Sequence, residues 1–104
     1  MSGPQLQVGR GVVLEMVRLA TEEVPGVLLL GRGGPRWRSW LGGAPIQVRM
    51  GEGRIDVRVT LVARPGQDLV ALAAQVRTAI AGTIERLLGL EAGSITVVLD
   101  GVGS

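Results

Sequence analysis

The stretch RIDVRVTLVARPGQDLVALAAQVRTAIAGTIERLLG, residues 54–89, decides the fold. Ile55, Val57, Val59, Leu61 and Ala63 alternate with Arg54, Asp56, Arg58, Thr60 and Arg64, the period of two expected of a strand with one buried and one wet face. Val62 alone breaks the alternation. Arg64-Pro65-Gly66-Gln67 supplies a turn, because proline fixes one dihedral angle and glycine admits conformations closed to other residues. Asp68 is placed as an N-cap. From there Leu69, Leu72, Ala73, Val76, Ile80, Ile84, Leu87 and Leu88 recur at spacings of three and four and form one apolar stripe of a helix. Gly89 closes it just past the C-cap. Such a helix, about 21 residues, is roughly 31 Å long, and a stripe of that length needs a sheet to lie on. Ile95, Val97 and Leu99, alternating with Thr96 and Asp100, predict the strand that follows. Strand, crossover helix and strand make a parallel unit, which is expected to be right-handed.

Upstream, Ile46, Val48 and Met50 form another period-two strand, returned into the Arg54 strand by Gly51-Glu52-Gly53. A two-residue turn at Gly51-Glu52 sets Met50 opposite Gly53, Val48 opposite Ile55 and Ile46 opposite Val57, keeping apolar side chains on one face; a four-residue loop of the same parity does likewise. Val12, Val13, Met16, Val17, Ala20 and Val24 mark one side of a first helix, with Glu15, Arg18, Glu22 and Glu23 on the other. Arg18 and Glu22, four apart, can pair. Pro25-Gly26 ends that helix, and Val27 to Leu30 reads as a short buried strand. Leu6, Gln7 and Val8 suggest a short edge strand at the start. The expected fold is α/β: a single small domain over residues 1–104, with a mixed sheet of about four strands and two helices in the order (β)αβββαβ. Its long second helix packs on the sheet.

Composition removes whole classes of chemistry. The chain contains no Cys and no His, so thiol and imidazole nucleophiles or bases, disulfides and the usual zinc ligands are excluded. All 11 basic residues are Arg. Without Lys there is neither a Schiff base nor a Walker-type phosphate loop. The pI near 11.0 reflects that missing middle of the titration range; the net charge is only +2 and does not by itself imply nucleic-acid binding. With 46% apolar residues the chain is expected to fold, and the core must be aliphatic because Trp37 and Trp40 are the only aromatic residues. No signal peptide or membrane span is expected, the run Val27 to Leu30 being far short of the roughly 20 residues a span needs. A cytoplasmic protein is the default.

Gly31-Arg32-Gly33-Gly34 matches the G-x-x-G of KH domains, but it follows a strand rather than a helix, so the context for clamping a nucleic-acid backbone is wrong. The carboxylates are scattered, and no pair stands beside an aromatic platform as glycoside hydrolysis would need. Neither a catalytic residue nor a cofactor or metal site is expected. Trp37, Trp40 and Leu41 fall at i, i+3 and i+4, interleaved with Arg36 and Arg38. Two readings follow: the indoles cover the end of the aliphatic core, or they form an exposed apolar and cationic knob for a protein partner or anionic headgroups. Between Glu23 and Glu52 the chain carries Arg32, Arg36, Arg38 and Arg49 and no acid, which favours an anionic partner. The candidate partner-binding residues are therefore Arg32, Arg36, Trp37, Arg38, Trp40 and Leu41.

The segment Leu19-Ala20-Thr21-Glu22-Glu23-Val24-Pro25-Gly26-Val27, the hairpin around Gly51-Glu52-Gly53, the Val57-Arg58-Val59 strand and Ile84-Glu85-Arg86-Leu87-Leu88-Gly89-Leu90 before a valine-rich last strand together resemble the alkaline shock protein family of bacterial envelope stress response proteins. The resemblance runs from about Leu6 to Val102 in order and spacing. It implies a small α/β domain without catalysis or cofactor, cytoplasmic and peripheral to the membrane through an anchored protein partner, with a tendency to form homo-oligomers. The alternative from another class is a small arginine-rich RNA- or DNA-binding protein, using the same arginines for phosphate and the indoles for stacking.

Overall fold

The structure, a computed structural model, describes residues 8–31 and 44–103. Helix α1 (Arg10–Glu22) is followed by strand β1 (Val27–Leu30), the hairpin β2 (Ile46–Gly51) and β3 (Arg54–Ala63), helix α2 (Leu69–Gly82) with a π-helical turn (Thr83–Leu87), and strand β4 (Glu91–Val102). The mixed four-stranded sheet is thus the expected one, but β1, expected to be a buried strand, is buried only at Val27, with Leu29 exposed on this short outer strand. Val8, where a first edge strand was expected, belongs to no strand, and Leu6 and Gln7 lie outside the described residues.

β3 is the centre of the sheet. β4 runs parallel to it, with Val57 beside Ile95, Val59 beside Val97 and Leu61 beside Leu99. On the other edge β2 pairs antiparallel with residues 54–59 and β1 with residues 61–63, so those two strands lie end to end. Thr60 is the junction: its N–H donates to the Pro45 carbonyl (2.8 Å), and its carbonyl accepts from the Gly31 N–H (2.8 Å).

The hairpin register corrects the expectation by one step of two residues. Gly51 faces Arg54, Met50 faces Ile55, Val48 faces Val57 and Ile46 faces Val59. The two turn residues are Glu52 and Gly53, at φ of 39° and 77°. A tight hairpin turn with positive φ at both central positions matches the twist of the strands, and glycine at the second makes Glu52-Gly53 the better choice than Gly51-Glu52. Because the shift is even, every apolar residue keeps its face.

Both helices lie on one face. Val13 and Val17 of α1, Leu72, Val76 and Ile80 of α2, and Ile84 share a single buried cluster with Ile46, Val48 and the five inward residues of β3. Val62, the residue that broke the alternation, is also buried, outside the cluster under the helices: it and Leu28, the extra residue of a bulge in β1, both lie beside Gly103. In α1 the stripe is rotated slightly from the expected one. Val12 is exposed (53%) while Thr21 is fully buried, its hydroxyl donating to the Val17 carbonyl (2.8 Å), which lets a polar side chain sit in an apolar face. The expected Arg18–Glu22 ion pair forms (2.7 Å), and Arg18 also bonds Glu15. The hydrogen bond to Glu15 and the two carboxylate charges raise the Arg18 pKa. On an exposed helix face these pairs stabilise little.

Asp68 caps α2 as predicted, its side chain accepting from the Ala71 N–H (3.1 Å). The stripe of α2 holds at Leu72, Val76, Ile80 and Ile84 but fails at its two ends, where Leu69 and Leu87 are exposed. At the far end the cause is the π turn. The Leu88 N–H bonds the Thr83 carbonyl, five residues back, at 3.3 Å. A turn closed over five residues winds less per residue than an α turn, so Leu87 swings to solvent and Leu88 takes its place against the core. Gly89, at φ of 67°, then releases the chain into β4.

Candidate interaction surfaces

Arg32, Arg36, Trp37, Arg38, Trp40 and Leu41 lie outside the described residues. The structure does fix where that segment leaves and returns. Gly31 and Pro45 both bond Thr60, on the β1/β2 side of the sheet and opposite β4.

The first described surface is the outer edge of β4. This strand of 12 residues hydrogen-bonds β3 on one side, and among the described residues no strand pairs with its other side. Register irregularities interrupt it near Gly93-Ser94 and again between Leu99 and Val102. Ile95 to Leu99, between them, is regular and carries no charge. Ile95, Val97 and Leu99 lean on the core yet remain only partly buried, as expected where a neighbouring strand is missing. Strand edges of this kind are normally blunted by lysine, proline or a bulge in mid-strand; here the interruptions stand only at its ends.

The second surface is the sheet face turned away from the helices. Alternation brings Gln47 and Arg49 of β2, Arg54, Asp56 and Arg58 of β3, and Thr96 of β4 onto it. Near Gly93-Ser94, β4 has two residues opposite Asp56 alone, a β-bulge. The bulge frees the Ser94 N–H, and the Asp56 carboxylate accepts it at 2.8 Å while also holding Arg54 (3.4 Å). Asp56 is therefore a structural acceptor rather than the merely solvated acid that its alternation suggests. The signal for this was the glycine inside a strand pattern, which often marks a bulge or a close backbone approach. A Cβ on Gly93 would stand 2.0 Å from the Asp56 Oδ1.

The third is a groove of about 480 Å³ between the helices, where Leu19 and the out-turned Leu87 are exposed beside Met16 and Ala79. No group of three acidic, histidine or cysteine side chains able to hold a metal occurs among the described residues. Nor, among them, is any helix long and apolar enough to cross a membrane.

What the fold and these surfaces define is a small α/β domain with both helices on one face of a mixed sheet, and with one sheet face and one long strand edge that no element covers among the described residues. Its sequence carries the particular identity: it matches the profile of the alkaline shock protein 23 family, described by its cell envelope-related function, over residues 3–104. The chain belongs to that family. No curated protein matches it in sequence. Among solved structures it is similar to the MamM CTD. The nickel form is 18% identical, with a TM-score of 0.63 over 88% of this chain and 96% of that one. The manganese form is 19% identical at a TM-score of 0.64, covering 89% and 99%. A copper form is 18% identical at 0.65, covering 89% and 98%. At such identity the likeness is one of fold.

Proposed function

We propose that residues 1–104 act as one non-enzymatic interaction domain in bacterial envelope homeostasis, cytoplasmic, recruited to the membrane by an anchored protein partner and assembling with copies of itself. The observation that carries this reading is the open edge of β4. Pairing two copies edge to edge, antiparallel over Ile95 to Leu99, would pair backbone groups that no described strand pairs and cover Ile95, Val97 and Leu99 from the side. The family's cell envelope-related function supports the setting, and a chain without Cys, His or Lys offers little for catalysis.

Val98→Lys adds an ammonium to that strand, opposite Thr96 of the other copy and about 7–8 Å diagonally from its own counterpart in an antiparallel pair centred on Val97. Light scattering is expected to show the wild type as a dimer or larger at high concentration and the variant as a monomer with an unchanged far-ultraviolet spectrum. A wild type that stays strictly monomeric removes self-association from the proposal.

The segment holding Trp37 and Trp40 is the proposed docking element for the partner. Replacing both with Ala is expected to abolish membrane recruitment in cells while leaving the thermal transition in place. Blue-shifted Trp fluorescence protected from a soluble quencher, with a loss of about 3–5 kcal/mol for each ring removed, would instead assign them to the core.

A further inference from the structure

The open sheet face carries a shallow groove of about 310 Å³ lined by Gln47, Arg49, Asp56, Arg58, Ser94 and Thr96. Its charges are unevenly answered. Asp56 is taken up by the Ser94 N–H and by Arg54. Arg49 stands opposite Asp56 in register and Arg58 stands opposite Gln47, yet among the described residues neither arginine makes an ion pair. Both are exposed. Arg58 lies two residues beyond the register partner of Arg49, so the two are diagonal neighbours, about 7–8 Å apart at the backbone. An extended chain advances about 3.3 Å per residue and returns to the same face every second residue. Acidic side chains at positions i and i+2 of such a chain are therefore about 6.6 Å apart, close to the arginine spacing, and each carboxylate can accept the two parallel hydrogen bonds of a guanidinium fork. Ser94 and Thr96, on the third strand, add hydroxyls along the same rows.

We infer that this groove binds an extended acidic segment of a protein partner, with Asp or Glu at alternate positions, through Arg49 and Arg58. The inference rests on the reading of the chain as an interaction domain and names the chemistry of one partner; it does not require self-association through β4. Nucleic acid fits less well, because among the described residues no aromatic side chain stands on this face to stack a base, and the net charge is small.

The test titrates isotope-labelled protein with a short synthetic peptide bearing Glu at alternate positions, and with a second peptide of equal charge bearing its Glu residues in one consecutive run. Shift changes are expected at Gln47, Arg49, Arg58, Ser94 and Thr96 for the first peptide, with at least tenfold weaker binding of the second. Arg49→Gln combined with Arg58→Gln is expected to weaken binding at least tenfold, whereas Arg77→Gln on α2 is expected to leave it unchanged. The wild-type shift map stands whether or not the double variant folds. No shifts on this face, equal binding of both peptides, or binding only to anionic vesicles or to oligonucleotide would each overturn the inference. Repeating the titration on Val98→Lys separates the outcomes: a monomer that still binds the peptide keeps the groove while self-association is judged by light scattering alone.

Discussion

Ile84→Ala is expected to cost about 2–5 kcal/mol of stability, the range for truncating a buried isoleucine, whereas Leu87→Ala, three residues on, is expected to stay within about 0.5 kcal/mol. The two side chains belong to the same predicted apolar stripe, yet Ile84 is fully buried and Leu87 is 66% exposed. At Ile84 the truncation would leave a cavity under the joint of helix and sheet, where the described core residues are aliphatic and closely packed. Urea unfolding followed by circular dichroism measures both variants on one scale. A uniform α-helix through this segment would bring Leu87 back toward the core, and comparable losses for the two variants would show that the π turn is not the state in solution.

The same contrast shows where the sequence was readable. Period and turn chemistry located every described strand and both helices, since a buried face of β3 or α2 can be made only by repeating apolar residues at the spacing of the element. The cap at Asp68 and the positive-φ glycine after α2 were legible for the same local reason. Periodicity did not reveal departures from regularity. The π turn changes the winding after Ile84, the hairpin moves by an even step that leaves the apolar pattern unaltered, and the bulge at Gly93-Ser94 inserts a residue without altering composition. Each depends on backbone hydrogen bonds made with a partner segment, which one strand or helix read alone does not specify. Arg49, Arg54 and Arg58 were readable as one wet face, but not that Arg54 alone would answer Asp56. The open edge of β4 depends on strand order, a property of the sheet and not of residues 91–102 by themselves.

Gly93→Ala is expected to destabilise the domain by about 1–2 kcal/mol, toward the lower part of the range for a backbone group that loses its partner, because Ser94 is exposed and water partly replaces the acceptor. The glycine is not needed here for an unusual φ; it is needed for space. An added methyl would stand 2.0 Å from the Asp56 Oδ1 and 2.4 Å from the Arg54 Nε. The carboxylate would have to leave, taking with it the hydrogen bond to the Ser94 N–H and the contact with Arg54. At a position that tolerates alanine the same exchange would stabilise by about 0.4–1 kcal/mol through the unfolded chain, so even a neutral result would report strain. Asp56→Ala removes the carboxylate directly and is expected to cost a similar amount. The decisive variant carries both changes: once the carboxylate is gone, only the flexible, exposed Arg54 side chain has to move aside for the methyl, so the double variant is expected to be little worse than either single one. Additive losses in a thermal-melt cycle, where each kcal/mol moves the midpoint by roughly 4–8 °C for a domain of this size, would mean that Gly93 and Asp56 act independently and that the bulge is held by something other than their close approach.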